Sequence, residues 1–202
     1  MPDYSYEQAA LESGFSHICG VDEAGRGPLA GPVCAAAVIL PLGTEIEGLN
    51  DSKKLSEKKR EQLFDIIIEK AVDYSIAYGS LEEIETHNIL NATYFAMNRA
   101  INGLKKVDFA VIDGNRIPKD IKVPAAAVVK GDGKSMSIAA ASILAKVSRD
   151  RLMLEYDKKY PQYQFAKHKG YGTKLHTDLI KEYGPCEIHR ISFLKNILGG
   201  NK

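Results

Sequence analysis

Short apolar runs rich in β-branched residues and alanine alternate along the chain with longer segments of helical periodicity. The apolar runs predict five β-strands, at residues 17–22, 32–40, 72–79, 109–113 and 123–129. Strands that alternate with amphipathic helices are typical of the α/β class. The pattern therefore predicts an α/β fold in which helices flank a five-stranded sheet.

Three segments have apolar residues at helical spacing, as expected for helices that bury one face. Ser56 is the predicted N-cap of the first helix, and Asn88 is the predicted N-cap of the second, which extends to about residue 104. The third helix spans about 137–160 and begins with the alanine-rich sequence IAAASILAK, whose small side chains would let the helix approach the sheet closely. Pro161 is expected to end it.

The order of these elements favours a sheet of mixed direction. The helix at 88–104 joins the third and fourth strands, so we expect this step to be parallel. The connection at 114–122 is too short for a regular helical crossover between the fourth and fifth strands. The first two strands are separated by the turn-forming sequence AGRGPLAGP.

The composition limits the kind of protein. Of the 202 residues, 45% are hydrophobic and 26% are charged, so we expect 1–202 to form one domain, with a basic helical C-terminal part from about residue 158. No apolar run approaches the roughly 18 residues that span a bilayer. The sequence MPDYSYEQAALESGF also lacks the features of a signal peptide. We expect a cytoplasmic monomer that is not associated with a membrane.

The cysteines and the charges add two further expectations. Cys19, Cys34 and Cys186 are scattered, without the CxxC spacing of zinc or redox sites, and are predicted to be small buried residues. The net charge is only +1, but residues 158–202 carry nine Lys and Arg against three Asp and Glu. A basic flank beside an acidic body suits binding of a polyanion, although solvated surface lysines would explain the asymmetry equally well.

Acidic residues follow three of the predicted strands. Asp22 and Glu23 end the first strand, Asp113 ends the fourth, and Asp132 follows the fifth in the sequence KGDGKS. Strand ends are where α/β folds gather functional groups. Consecutive strand residues point to opposite faces, so Glu23 can join Asp22 only if the pleat breaks, and Gly25 makes such a break reasonable.

These four acids form a donor set for a hard divalent cation. Mg²⁺ takes carboxylate, water and phosphate oxygens, and two such ions can stabilise both the entering and the leaving oxygen of a phosphodiester displacement. Structural alternatives exist for two of the acids: Asp113-Gly114 is also a tight-turn signal, and Asp132 is also a turn or helix-cap candidate. Asp22, at the end of an apolar strand, is harder to explain as a structural residue.

An ordered set of motifs carries a resemblance to a known family. The sequences GVDEAGRGPLAGPV, LNDSKKLSEKKR, HNILNAT, VIDGN, VVKGD, SIAAASILAKVSRD, HKGYGTKLH and HRISF together resemble bacterial ribonuclease HII, of the type 2 ribonuclease H family. The resemblance covers about 18–193. It implies a ribonuclease H-like fold, with a five-stranded mixed sheet and a C-terminal helical extension. It also implies a Mg²⁺- or Mn²⁺-dependent endonuclease.

The resemblance also implies a substrate and a set of site residues. The substrates are RNA–DNA hybrids, whose RNA strand is cut, and DNA duplexes with an embedded ribonucleotide, which are nicked on its 5′ side to leave a 3′-hydroxyl. The four family acids fall on Asp22, Glu23, Asp113 and Asp132. Asp150 competes as a fourth acid on spacing alone, but the family pattern places the ligand in KGD.

Other positions are candidates for substrate contact. The family's Gly-Arg-Gly element falls on Gly25, Arg26 and Gly27, where missing side chains would let the backbone approach a sugar–phosphate and a 2′-hydroxyl, and Arg26 can hold a phosphate. Tyr171 resembles the family tyrosine that stacks on the sugar next to the ribonucleotide, although it could equally anchor its own loop. Further candidates for phosphate contact are Lys53, Lys167, Lys169 and Lys174.

Three histidines and two rival functions stay open. His168, His176 and His189 could transfer protons, but none is expected to be essential. A non-catalytic hybrid-binding module, or another two-metal nuclease or strand-transfer enzyme of the same fold, are the alternatives to a ribonuclease. The tail ISFLKNILGGNK has no clear sliding-clamp motif, so the sequence identifies no protein partner.

Overall fold

The structure, a computed structural model, describes residues 2–199, so the last three residues of the C-terminal tail lie outside the described part. Its centre is one five-stranded sheet in the order β3-β2-β1-β4-β5. The strands are β1 (Ile18–Ala24), β2 (Val33–Ile39), β3 (Asp73–Gly79), β4 (Phe109–Asp113) and β5 (Ala125–Val128). All five lie where the apolar runs predict them, with bounds that differ by one or two residues.

The sheet is of mixed direction, as predicted. β2 is antiparallel to β1 and to β3, whereas β4 is parallel to β1 and to β5. β3 and β4 do run in the same direction, but β2 and β1 lie between them. The parallel step between neighbouring strands that follow each other in sequence is β4 to β5, through the non-helical connection 114–124. The expectation that this short connection disfavours a parallel step is wrong, because a loop of bends and turns spans the gap without a helix.

Six α-helices accompany the sheet within the described residues. They are α1 (Ser5–Glu12), α2 (Glu57–Lys70), α3 (Leu81–Asn102), α4 (Met136–Lys159), α5 (Phe165–His168) and α6 (Lys174–Tyr183). α2 begins as predicted, since the side chain of Ser56 accepts a hydrogen bond from the backbone N–H of Lys59. α4 also matches its prediction: Ser135 is its N-cap, and it ends at Lys159, with Tyr160 as the C-cap before Pro161.

α3 begins earlier than predicted. Ser80 and Glu83 form a capping box at its start, two turns before Asn88. Asn88 has a φ of 68° and kinks the helix, and its side chain accepts hydrogen bonds from the backbone N–H groups of Leu90 and Asn91. Asn88 is therefore a cap as predicted, but it caps the second part of a longer, kinked helix.

The helices cover both faces of the sheet. α2 and α4 bury one face and α3 buries the other, so β1 lies in the middle of two apolar layers. α4 approaches β1 so closely that a Cβ at Gly20 would overlap the backbone of Ser137. The alanine-rich start of α4 permits this contact, as the sequence predicts. This contact fixes the position of the end of β1 relative to α4.

The C-terminal part packs against the end of α4 as a small cluster of its own. α5 and α6 contribute Phe165 and Leu179 to an apolar group that also includes Met153 of α4. Two of the three cysteines, Cys19 and Cys34, are buried as predicted, while Cys186 is half-buried. None of the helices in residues 2–199 is both long enough and apolar enough to cross a membrane.

Candidate functional site

The two acids at the end of β1 face opposite sides of the sheet. β1 pairs with β2 as far as Ala24, so the pleat continues through Glu23. Asp22 is on the α4 side with Gly20, while Glu23 is on the α3 side with Val21. The break that Gly25 suggests does occur, at a φ of 94°, but it comes after Glu23. The expectation that a break brings Glu23 onto the face of Asp22 is therefore wrong.

Asp113 connects the two sides. It ends β4, directly beside β1, in a register that places Ile112 opposite Val21. Its Oδ1 atom accepts a hydrogen bond of 2.6 Å from the backbone N–H of Gly131. Asp132 is the next residue, in a short 3₁₀ turn before α4. The strand ends and this hydrogen bond thus bring the candidate acids to one edge of the sheet.

The pKa shifts show that these carboxyl groups repel one another. Burial raises the pKa of Asp22 well above its ordinary value, and the charges of Glu23 and Asp113 add to the rise. Burial also raises the pKa of Glu23, where Arg26 opposes the rise and Asp113 adds to it. The pKa of Asp132 is raised by burial and then by Asp113. One carboxylate, Asp113, therefore acts on the other three.

Lys53 provides positive charge beside the four carboxyl groups. Its Nζ atom is 3.7 Å from Oδ2 of Asp132. Burial opposes the rise, yet the surrounding carboxylates, led by that of Asp22, raise the pKa of Lys53. Asp51 holds the turn that carries Lys53, by accepting from its backbone N–H at 2.9 Å, and also raises the pKa of Asp132. Asp51 is a fifth acid that the sequence interpretation did not select, although it lies in the quoted motif LNDSKKLSEKKR.

Asp150, the competing fourth acid, lies elsewhere. It is buried on α4 and accepts a hydrogen bond of 2.6 Å from Nζ of Lys146. Because Lys146 already neutralises its charge, this carboxylate does not need a metal ion. The structure places Asp132, and not Asp150, beside Asp113.

The donor set fits a hard divalent cation, although the described part of the chain holds no preformed ligand cage. Within residues 2–199, no group of three His, Cys, Asp or Glu side chains is arranged as a ready metal site. Mg²⁺ sites commonly use one or two carboxylates and complete the shell with water and phosphate oxygens. The raised pKa values of Asp22, Glu23 and Asp132 reflect buried charge that a bound cation would neutralise.

A cleft opens beside the acids on the α3 side. It has a volume of about 290 Å³, and Glu23 and Asp113 line it. Arg26 contacts Glu23 there, with 3.3 Å between Nη1 and Oε1. Arg116, in the loop after β4, also lines the cleft and was not selected from the sequence. The cleft thus combines carboxylates with two guanidinium groups that can hold phosphate.

The two glycines of the Gly-Arg-Gly element differ in whether the fold itself requires a glycine. Gly25 has a positive φ, and a Cβ there would overlap the side chain of Arg149. A Cβ at Gly27 would meet no atom within 4 Å, and its φ is not in the left-handed region. The fold requires glycine at position 25 but not at position 27. Close approach of a ligand would explain the second glycine.

Tyr171 is an exposed ring on a braced loop. Its residue is 41% exposed, which fits both predictions, a ring that stacks on a sugar and a half-buried anchor of its own loop. Lys146 of α4 places Nζ 5.7 Å from the ring centroid. Lys146 follows Ser142 by one helical turn, and the side chain of Ser142 acts to lower the pKa of Asp22. α4 therefore sets the spacing between Tyr171 and the acids, and Lys146 is a further cation that the sequence interpretation missed.

The other candidate lysines are partly engaged within the protein. The ammonium of Lys169 donates to the carbonyl of Ala166 at 2.6 Å, and its side chain is only 13% exposed. Lys174 pairs with Asp178, and Lys167 donates to Gln164. Of the candidates, Lys53 is the one whose ammonium lies beside the acids, with a side chain that is 77% exposed.

The three histidines belong to the C-terminal part. His168 and His176 stack with ring centroids 4.2 Å apart, and the Nε2 atoms of His176 and His189 are 3.1 Å apart. All three are buried. Their hydrogen bonds go to one another, to the thiol of Cys186 and to the backbone, including that of Tyr171. They brace the loop that carries Tyr171.

Comparison with known proteins agrees with this geometry. The profile of the family "Ribonuclease HII" matches residues 19–196. Ribonuclease HII of Caldicellulosiruptor bescii is 56% identical over 96% of this chain and 95% of its own. The crystal structure of ribonuclease H2 from Pyrococcus horikoshii is 27% identical and superposes with a TM-score of 0.75 over 91% of this chain and 98% of its own.

A further solved structure shares the fold at lower identity. Bst-RNase HIII in complex with Mn²⁺ is 16% identical and superposes with a TM-score of 0.69 over 91% of this chain and 69% of its own. The family profile spans most of the sequence, and so does the relative from C. bescii. This chain belongs to the ribonuclease HII family.

Proposed function

We propose that Asp22, Glu23, Asp113 and Asp132 form the active site of this endonuclease, with Mg²⁺ or Mn²⁺ as the cofactor. As a ribonuclease HII, the chain is an RNase H enzyme, which hydrolyses the RNA strand of RNA–DNA hybrids. The observation that supports the site is the central position of Asp113. Its charge acts on the three other carboxyl groups, which come from β1 and from the turn before α4.

The chemistry is hydrolysis of a phosphodiester on the 5′ side of a ribonucleotide. Water attacks phosphorus, the bond to the 3′ oxygen breaks, and a 3′-hydroxyl and a 5′-phosphate form. Bound divalent ions would neutralise the carboxylates and make the attacking water more acidic. Asp22 is the proposed shared ligand, Glu23 and Asp113 complete the ion sites, and Asp132 holds an ion or orients the water.

The cations around the acids have a role in positioning the duplex. Arg26 and Arg116 line the cleft on one side, and Lys53 is exposed beside Asp132 on the other. Contacts of this kind fix the phosphate backbone without reading the base sequence. The exposed ring of Tyr171 is proposed to stack on the sugar next to the ribonucleotide. A monomeric state and a cytoplasmic location complete the proposal.

The test uses a 5′-labelled DNA duplex with one embedded ribonucleotide. We expect a single nick on the 5′ side of the ribonucleotide with Mg²⁺ or Mn²⁺, and none with EDTA. An all-DNA duplex of the same sequence is the matched control and should stay intact. Binding without a metal-dependent nick would favour a hybrid-binding module. Equal nicking of both duplexes would favour another two-metal nuclease or strand-transfer enzyme.

A further inference from the structure

Arg190 is a fully buried cation that binds the backbone of the Gly-Arg-Gly element from the protein interior. Its residue is 0% exposed. Nη2 donates to the carbonyl of Gly25 at 2.6 Å and Nη1 donates to the carbonyl of Arg26 at 2.9 Å. Nε and Nη2 also donate to the carbonyl of Gly31, at 2.9 and 2.7 Å. One side chain thus fixes three carbonyls of the β1–β2 connection.

The backbone around Arg190 makes this contact rigid. Its own N–H donates to the carbonyl of Leu29 at 2.8 Å, and the N–H of Gly31 donates to the carbonyl of Ile188 at 2.8 Å. Ala30 and His189 form an antiparallel bridge between these two hydrogen bonds. The segment 188–190 is therefore paired by backbone hydrogen bonds with the segment 29–31. From this fixed position the Arg190 guanidinium extends to the carbonyls of residues 25 and 26.

The buried charge is not explained by an ion pair. No carboxylate lies within salt-bridge distance of the Arg190 guanidinium among residues 2–199. Burial, together with the charge of Arg149, lowers the pKa of Arg190 to about 9. A buried cation without an ion pair, held by carbonyls and by the Phe193 ring 5.3 Å from its Cζ, is a costly way to hold a turn. The result of this contact is that the directions of two adjacent peptide groups, those after Gly25 and Arg26, are fixed.

The direction of these two peptides follows from peptide planarity. In a trans peptide the N–H points away from the C=O, and no described peptide is cis. The carbonyl of Gly25 shares a peptide with the N–H of Arg26, and the carbonyl of Arg26 shares one with the N–H of Gly27. Because both carbonyls point inward to Arg190, both N–H groups point outward. Neither has an acceptor in the described part of the chain.

We propose that Arg190 is a positioning residue for ribonucleotide recognition: it holds the Gly25 and Arg26 carbonyls inward so that the Arg26 and Gly27 N–H groups face an oxygen of the ribose or its phosphate. Backbone N–H groups are strong donors, and two that face outward without an acceptor in the described part of the chain are available to the oxygens of a bound ribonucleotide. The open space at Gly27 leaves room for the sugar to approach. This inference rests on the proposed function of the Gly-Arg-Gly element as part of the substrate site.

The variant that tests it is Arg190→Lys, because lysine keeps the charge but cannot bind both carbonyls in one plane. Arg99→Lys is the matched control. Arg99 of α3 also donates to a carbonyl, that of Tyr78, but it pairs with Glu83 and contacts neither the Gly-Arg-Gly element nor Tyr171. Affinity is measured in EDTA by fluorescence anisotropy for a duplex with one ribonucleotide and for the all-DNA duplex of the same sequence.

We expect Arg190→Lys to reduce the preference for the ribonucleotide duplex by up to about tenfold, the effect of losing one neutral hydrogen bond. Its affinity for all-DNA duplex should stay within about twofold. With Mg²⁺, kcat/KM for the single ribonucleotide should fall in parallel. Arg99→Lys, which makes the same substitution away from the substrate site, should keep the preference. An unchanged preference in folded Arg190→Lys, or equal losses of preference in both variants, overturns the inference.

A second measurement on the unmodified protein covers the case in which Arg190→Lys does not fold. In ¹⁵N-resolved NMR spectra with EDTA, the amide signals of Arg26 and Gly27 should shift more with the ribonucleotide duplex than with the all-DNA duplex. Equal shifts with the two duplexes contradict the inference. Failure of the proposed function would look different, since the unmodified protein would then not nick the ribonucleotide duplex at all.

Discussion

Asp113 accepts a 2.6 Å hydrogen bond from the backbone N–H of Gly131, which joins the end of β4 to the turn that carries Asp132. The contact links two acids that are separated along the chain by the whole of β5. A Cβ at Gly131 would meet Oδ1 of Asp113 at 3.3 Å, so the glycine permits this close approach. The relative position of the two carboxylates is thus built into the backbone and does not depend on a ligand.

This contact makes Asp113→Asn an informative variant. Asparagine keeps an oxygen acceptor for the Gly131 N–H but loses the charge, so we expect a folded protein that still binds duplex. We expect the nicking rate to fall by at least about 100-fold, because a divalent cation loses a charged ligand. The measurement is single-turnover nicking of the ribonucleotide duplex with Mn²⁺. The control is Asp65→Asn, which changes an exposed acid of α2 in the same way. A near-normal rate in Asp113→Asn would remove this residue from the site.

The buried position of Asp22 leads to a prediction in which activity and stability change in opposite directions. Because its pKa is raised by burial and by its neighbouring acids, the metal-free folded protein holds a proton that the unfolded chain releases. Stability in EDTA should therefore fall as the pH rises above the ordinary Asp range, up to the raised folded-state pKa.

Asp22→Asn removes this titrating group. Above that window we expect its melting temperature in EDTA to be about 2–4 °C higher than that of the unmodified protein, or about 1 kcal/mol for a domain of this size. Nicking should be abolished, and Mn²⁺ should raise the melting temperature of the unmodified protein more than that of the variant. The readout is differential scanning fluorimetry between pH 5 and pH 8, with EDTA or Mn²⁺. If the variant is less stable than the unmodified protein in EDTA, the repulsion inferred here is absent.

Contact between Gly20 and α4 is expected to be essential for the fold. In Gly20→Ala the new Cβ would overlap the backbone of Ser137, which cannot move without displacing α4. We expect a loss of at least about 3 kcal/mol in unfolding free energy, at the upper end of overpacking effects. Gly27→Ala is the control for stability, since a Cβ there meets nothing within 4 Å. Urea denaturation of both variants decides the matter, and similar midpoints would contradict the prediction.

Tyr171 is expected to distinguish between substrates. If its ring stacks on the sugar next to a ribonucleotide, Tyr171→Ala should lose about 1–3 kcal/mol of binding to a duplex with a single ribonucleotide. The loss on a uniform RNA–DNA hybrid should be smaller. Relative kcat/KM values for the two substrates measure this, with Tyr74→Ala as the control because Tyr74 on β3 is similarly exposed, at 37%. Equal losses on the two substrates would show that Tyr171 does not sense the junction.

How far the sequence predicts this structure depends on the range of each signal. The five strands, the Ser56 cap and the alanine-rich α4 are local patterns, and the structure confirms them. The start of α3 differs from the prediction because Asn88 is a cap signal inside a kinked helix, whereas the capping box of Ser80 and Glu83 marks the actual start. α1 has no local pattern that predicts it, because its buried residues are only Glu7 and Ala10 and form no apolar stripe.

Long-range relationships were harder to predict. The sequence identifies Asp22 and Asp113 as acids at strand ends. That they lie close together depends on the pairing of β1 with β4, and no local sequence pattern encodes strand order. Arg190 and Lys146 are single residues within longer motifs. Only the tertiary contacts show that one holds the Gly-Arg-Gly carbonyls and that the other lies beneath Tyr171.

The histidines of the C-terminal part have a defined set of tautomers. Nδ1 of His176 must donate to the carbonyl of Tyr171, at 2.9 Å, because a carbonyl only accepts. In a neutral ring Nε2 of His176 is then an acceptor, so Nε2 of His189 donates to it at 3.1 Å. Nδ1 of His189 is left to accept from the backbone N–H of Cys186, at 2.9 Å. A proton added to either ring would place two donors face to face.

This arrangement predicts destabilisation in mild acid. Burial lowers the pKa of both His176 and His189 to about 4, below the ordinary value of about 6.5 in an unfolded chain. Between these values the unfolded chain binds more protons, so stability is complete above about pH 6.5 and is lost as the pH falls towards 4. For one histidine the loss at pH 5 is on the order of 1–2 kcal/mol.

His189→Gln tests the prediction, because glutamine cannot take up a proton. The unfolding free energy in urea is measured with EDTA at pH 5 and pH 7.5. We expect the variant to be less stable than the unmodified protein at pH 7.5 but to lose less stability on going to pH 5. His87→Gln, which changes an exposed histidine of α3, is the control and should keep the original pH dependence. An identical pH dependence in His189→Gln would mean that the buried histidines do not set the acid limit of this fold.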